Sequence, residues 1–115
     1  MQVREAIRRA DALRMNTVED AQKAAWLFDL DGQLAEMMGA AVPENCWPED
    51  AELLMGPPYE EIYQLYLICK IDYYNQEMEL YAGDLAMYQE ALAEARAWWR
   101  RNHRPEGRGA WRAMP

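Results

Sequence analysis

The chain has 115 residues, of which 51% are hydrophobic, and its formal net charge is −8. This length allows one domain with a single core, and the acidic balance excludes a body that binds nucleic acid through overall positive charge. No apolar run approaches the ~20 residues of a membrane span, and the first residues lack a signal-peptide core. The two cysteines, Cys46 and Cys69, have no motif spacing, so we expect a reduced, intracellular protein without disulfides.

The charge is distributed unevenly along the chain. Residues 1–15 carry four arginines and two acids, whereas residues 16–90 carry two lysines and sixteen acids. Residues 91–115 carry six arginines and two acids. The sequence therefore predicts an acidic body with basic ends, and arginine together with tryptophan is typical of interfaces.

Two helices are predicted in the first third of the chain. Apolar residues at helical spacing indicate a first helix over residues 3–14 and a second over about 18–38. Thr17 is the expected N-cap of the second helix, and Gly39 is its expected stop. Gly32 within that helix costs roughly 1 kcal/mol against alanine, which suggests a close backbone approach.

The central element is predicted over residues 57–75. Its apolar side chains lie nearly all round the helix, including Ile62, Tyr66, Cys69 and Tyr73, which is the pattern of a buried core helix. Before it, residues 39–58 hold four of the six prolines and form a long connection. We expect a short extended stretch at 52–55, where three apolar residues pack onto the core: Leu53, Leu54 and Met55.

The helical register breaks near Asn75–Gln76, where we predict a turn or kink. A second heptad-like stripe then runs from Met78 to Trp99 and indicates a long helix to about Asn102. Trp98 and Trp99 cannot both face one core, because adjacent helix positions differ by about 100°. The predicted fold is an all-α bundle of about four helices, with a helical domain over 1–103 and a flexible tail over 104–115.

The residues favour no catalytic, cofactor or metal site. His103, the single histidine, is expected to cap or be solvated at a helix end, and two unpaired cysteines with one histidine make no zinc set. The Asp29-Leu-Asp31-Gly32 run is similar to the start of a calcium loop, but its glycine comes too early. The candidate partner interface consists of aromatic and basic residues: Trp47, Trp98, Arg100, Arg101, Arg104, Arg108, Trp111 and Arg112.

Four segments together resemble the small head–tail connector (adaptor) proteins of tailed bacteriophages. These are VREAIRRADALRMN at 3–16, KAAWLFDLDGQLAEMM at 23–38, GPPYEEIYQLYLICKIDYYNQE at 56–77 and RAWWRRNHRP at 96–105. The resemblance implies a helical, non-enzymatic virion protein without cofactors. Copies would form a ring beneath the portal protein at the head–tail interface and extend the DNA channel towards a tail-side stopper or completion protein. DNA would pass without sequence-specific binding, and no membrane would be involved.

Two other functions remain open from the sequence. A DNA-packaging factor would use the arginine-rich end to contact nucleic acid, with steep salt dependence. A helical protein-binding regulator would be a monomer without affinity for a portal.

Overall fold

The structure is a computed structural model that describes residues 1–40, 48 and 50–102. Four helices follow one another along the chain: α1 (Val3–Leu13), α2 (Asp20–Met38), α3 (Glu61–Tyr74) and α4 (Met78–Asn102). The described residues contain no β-strand, so the predicted all-α class and the long C-terminal helix are confirmed.

Helix α3 lies at the centre of the molecule. The other three helices all pack on it, and α1 also contacts α2. Seven of its fourteen residues are buried, which confirms the prediction of a core helix. The core around it contains these buried apolar side chains: Val3, Ala6, Ile7, Ala10, Leu27, Leu30, Leu34, Leu53, Met55, Ile62, Tyr63, Leu67, Ile68, Cys69, Ile71, Tyr88 and Ala95.

The predicted burial of the α3 stripe holds at one end of the helix and fails at the other. Ile62 and Cys69 are buried, and Tyr66 is half-buried. Tyr73 is 63% exposed, so its assignment to the core is wrong. It lies in the last turn of α3, where it contacts the Tyr81 ring of α4 at 5.5 Å between centroids.

The ends of α2 follow local backbone chemistry. Thr17 does not cap the helix, because the Asn16 side chain accepts the Val18 N–H at 3.1 Å and α2 begins later, at Asp20. Gly39 ends the helix in the left-handed conformation, with φ of 69°, as predicted. The expected close approach at Gly32 is wrong, since an added Cβ would meet nothing within 4 Å.

The segment before α3 is extended along the start of α1. Gln2 and Glu52 form an antiparallel bridge, and the Val3 N–H donates to the Ala51 carbonyl at 3.0 Å. Leu53 and Met55 are buried as predicted, but Leu54 is 37% exposed. The correction at Leu54 follows from the alternation of side chains along an extended chain.

A full turn separates α3 from α4. Gln76 adopts a φ of 60°, and the Glu77 N–H donates to the Asp72 carbonyl at 2.9 Å. Helix α4 then returns antiparallel to α3, as the Tyr59–Trp98 and Tyr73–Tyr81 ring pairs show at its two ends.

The apolar stripe of α4 is confirmed in its middle and corrected at its ends. The middle members of the stripe pack on the core, namely Tyr81, Leu85, Tyr88, Leu92 and Ala95. Met78, at the start of the stripe, is 48% exposed. Trp98, rather than Trp99, packs against the core. A strict heptad drifts by about 20° per repeat on a straight helix, so its outermost members leave the contact face.

Candidate interaction surfaces

Three of the predicted interface residues lie on the last turns of α4. Trp98 packs on Tyr59 with ring centroids 5.3 Å apart, so part of its surface is used inside the domain. Arg100 and Arg101 are exposed, and the Arg100 Nε donates to the Arg96 carbonyl at 3.4 Å. The other predicted interface residues lie outside the described part of the chain: Trp47, Arg104, Arg108, Trp111 and Arg112.

Helix α4 is the least covered element of the fold. It packs mainly on α3, and only Tyr88 and Ala95 of its 25 residues are buried. Exposed large apolar side chains remain on it, with Leu80 at 43% and Met87 at 55% exposure. A helix with this much exposed apolar surface is suited to contact another protein.

An acidic groove runs along one side of the α3–α4 pair, with a volume of about 200 Å³. Its α4 residues recur at the spacing of one helical face, and its α3 residues are one turn apart. Among the described residues, the ion pairs found involve none of its three glutamates. The acidic groove is lined by Glu61, Leu65, Met87, Glu90, Ala91 and Glu94.

An aromatic cleft of about 230 Å³ lies between the same two helices. The Tyr66 and Tyr88 rings contact at an interplanar angle of 53° with centroids 5.3 Å apart, and the Lys70 ammonium lies 5.5 Å from the Tyr66 ring centre. Burial raises the pKa of the Cys69 thiol in this cleft to about 12, so the thiol is neutral near pH 7. The cleft therefore offers apolar contact rather than a nucleophile; its lining also includes Tyr73, Tyr81 and Leu85.

Large apolar side chains also lie exposed where two connections meet. We call Leu13, Met15, Tyr74 and Met78 the apolar tip; their exposures are 56%, 91%, 59% and 48%. The Asn75 side-chain amide donates to the Met15 carbonyl at 3.3 Å, which joins the α1–α2 connection to the α3–α4 turn.

A partly buried charge cluster connects the apolar tip to the core. Arg14, which follows α1, donates from Nε to Asp72 Oδ1 at 2.8 Å and from Nη2 to Asp84 Oδ2. Asp72 is fully buried, and its second oxygen has no hydrogen-bond partner among the described residues. Burial, and then the neighbouring Asp84, raise the pKa of Asp72 to about 6. One arginine thus ties α1 to both α3 and α4.

A second buried polar network anchors the segment before α3. The Tyr63 hydroxyl donates to Asp31 Oδ1 at 2.6 Å and accepts the Met55 N–H at 2.7 Å. Asp31 Oδ2 accepts the Leu54 N–H at 3.0 Å. Desolvation raises the pKa of Asp31, and these hydrogen bonds oppose that effect.

The sequence interpretation missed both networks. It considered Asp31 within the run that is similar to a calcium loop, and it did not single out Asp72. An aspartate inside an apolar helical stripe was the available signal, because a buried carboxylate needs partners.

No protein-family model matches the chain, and no curated protein or solved structure is significantly similar to it. In the described ranges, no three or more His, Cys, Asp or Glu side chains are grouped to hold a metal ion. No helix in those ranges is long and apolar enough to cross a bilayer.

Proposed function

We propose that the chain is a non-enzymatic structural subunit of a phage head–tail connector. Several copies would form a ring beneath the portal protein and extend the DNA channel towards a tail-side stopper or completion protein. The single observation that carries a protein-binding role is the exposed apolar tip, which the charge cluster of Arg14, Asp72 and Asp84 connects to the core. The resemblance of four sequence segments to connector proteins supports the particular assembly.

The apolar tip has the properties of a preformed binding surface. Met15 is 91% exposed, so its large apolar side chain gains no burial energy within this chain. The backbone around it is held by the bond from Asn75 and by the ion pairs of Arg14. A rigid surface loses less conformational entropy on binding than a mobile one.

The acidic body supports the role of a channel wall. Residues 16–90 carry sixteen acids against two lysines, and one of those lysines, Lys23, is ion-paired with Asp11 at 2.6 Å. Like charges repel, so an acidic surface lets DNA pass without adhering.

The test is reconstitution with a phage portal protein, the partner that this proposal requires. Negative-stain imaging and pull-down should show a ring of copies on the portal. Replacing Met15 and Tyr74 by serine should abolish that binding, whereas replacing Leu54, an exposed apolar residue of the segment before α3, should not. A wild-type chain that neither binds a portal nor forms a ring would contradict the proposal and favour a monomeric regulator.

A packaging factor is the second candidate, because Arg100 and Arg101 are exposed beside four more arginines in residues 91–115. We predict that anisotropy titration near physiological salt shows no tight DNA binding by the full chain, since the acidic body opposes it. Submicromolar binding that weakens steeply with salt would favour the packaging role instead.

A further inference from the structure

We propose that the acidic groove binds the arginine-rich C-terminal segment, residues 103–115, of a neighbouring copy of this chain. The proposal rests on the ring assembly proposed above and names the contact between its subunits.

The acidic groove combines negative charge with apolar surface. Its lining includes the carboxylates of Glu61, Glu90 and Glu94 together with the apolar side chains of Leu65 and Met87. Glu90 and Glu94 are one helical turn apart. Two arginine side chains of a single peptide segment can therefore reach both carboxylates. The exposed Met87 provides a soft apolar contact for a large side chain. This chemistry fits a ligand that carries both arginine and an aromatic group.

The C-terminal segment carries that pair of features. Residues 103–115 contain three arginines, one tryptophan and a single acid, Glu106. Arginine and tryptophan are the residues that most often dominate binding energy at protein interfaces. Charge complementarity therefore favours this segment over the acidic body of residues 16–90.

The basic residues of the first helix are already engaged within the molecule. Arg8 and Arg9 both pair with Glu5, at 2.6 and 2.9 Å. Arg14 is held by Asp72 and Asp84. Using these arginines in the acidic groove of another copy would therefore break existing ion pairs.

The direction of α4 favours a neighbouring copy over the chain's own segment. The α4 side of the acidic groove runs from Met87 to Glu94, while the helix ends at Asn102. At 1.5 Å per residue, the acidic groove lies about 12–22 Å back along the helix axis. The axis of α4 at Asn102 points away from the acidic groove. A segment from the next copy is not constrained by this direction.

The test uses a fluorescently labelled peptide with the sequence of residues 103–115 and the full-length protein. Anisotropy at physiological salt should show saturable binding. Replacing Glu90 and Glu94 by glutamine should weaken that binding at least tenfold. The matched control replaces by glutamine two other exposed glutamates, Glu77 just before α4 and Glu79 in its first turn, and should change the binding less than threefold. Circular dichroism confirms that the variants fold.

Two results would overturn the proposal. One is an absence of peptide binding to the wild-type protein, and the other is an equal loss in both double variants, which indicates bulk charge attraction.

The full-length Arg108→Glu/Arg112→Glu variant tests whether the bound segment comes from the same chain or from a neighbouring copy. If the peptide binds this variant ten times more tightly than wild type while both the variant and wild type sediment as monomers, the chain's own segment fills the acidic groove, and binding from a neighbouring copy is contradicted. An unchanged peptide affinity supports binding from a neighbouring copy.

These outcomes separate the contact from the assembly. Rings on the portal without peptide binding remove the acidic groove as the contact and leave the connector role standing. Peptide binding without any portal or ring association removes the connector role and leaves the acidic groove standing as the binding site for the segment.

Discussion

Tyr63 and Asp31 are individually unfavourable in an apolar core but stabilise each other there. Both side chains are fully buried, and together they accept two backbone N–H groups from Leu54 and Met55. A buried donor or acceptor without a partner costs about 1–3 kcal/mol, so removing one group of the network also destabilises the buried groups that it was bonded to. The network connects α2, α3 and the segment between them.

We predict that Tyr63→Phe lowers the free energy of unfolding by about 1–3 kcal/mol, because it leaves Asp31 and the Met55 N–H with one partner fewer. Urea denaturation measures the change. The matched control is Tyr74→Phe, which removes the same hydroxyl from a side chain that is 59% exposed and should cost under about 0.5 kcal/mol. Equal effects of the two substitutions would contradict the role of the network.

Asp72 makes the stability of the fold depend on pH. Its pKa is about 6 in the folded state against an ordinary value of 3.8, chiefly because of burial. Between these values the folded chain holds a proton that the unfolded chain has released. Stability from this group is therefore present at low pH and is lost as the pH rises through about 6. Arg14 and Asp84 are the charged groups that face it.

We predict that the free energy of unfolding is about 1 kcal/mol higher at pH 5 than at pH 7 because of Asp72. Asp72→Asn should reduce the difference between the two pH values by that amount, since asparagine does not titrate. Asp29→Asn, at an exposed position, is the control for the general fall in negative charge. Chemical denaturation at both pH values gives the result, and an unchanged difference in Asp72→Asn would rule this group out.

Among the elements, α2 shows how one residue type has opposite effects at two positions. Gly32 lies inside the helix with open space around its Cα. Gly39 ends the helix with a φ of 69°, a conformation that residues with a Cβ adopt at a cost. Glycine is therefore a weakness at the first position and the appropriate residue at the second.

We predict that Gly32→Ala raises the thermal midpoint by stabilising α2 by about 0.5–1 kcal/mol, because alanine restricts the unfolded chain and favours helix. Gly39→Ala should lower stability by about 1 kcal/mol through strain at the C-cap. Calorimetry of the two variants beside wild type measures both signs. Shifts in the same direction would mean that helix propensity does not decide the outcome.

At the scale of the whole molecule, the residues that form the core differ from those that we propose for contacts with partners. The core consists of α1, α2, α3 and the inner face of α4, with Leu53 and Met55 added from the segment before α3. The surfaces that we assign to partners are the apolar tip, the acidic groove and the C-terminal arginines.

We predict that deleting residues 106–115 changes the thermal midpoint of the monomer by less than about 2 °C, because the described core is built from residues before Asn102. The same deletion should abolish binding to the portal or to the next copy. Melting and pull-down of the truncated protein are compared with wild type. If truncation unfolds the domain, residues 106–115 are structural, and their role in docking is wrong.

The sequence by itself determined the elements of this protein. Helix periodicity placed all four helices, the stop at Gly39 and the break near Asn75–Gln76 to within a few residues. These features depend on neighbours three or four residues away, which a sequence displays directly. The central position of α3 followed for a similar reason, because a helix that is apolar on most sides has to be covered on most sides.

Only the tertiary structure decided which side chains meet across the fold. Arg14 reaches Asp72 and Asp84 across 58 and 70 residues of chain, and Tyr63 reaches Asp31 across 32. The exposure of Tyr73 and the choice of Trp98 over Trp99 depend on where α4 lies against α3. The acidic groove, too, exists only because two helices distant in sequence are antiparallel neighbours. Such pairings depend on how whole helices pack together. Local spacing predicts only which face of each helix is apolar.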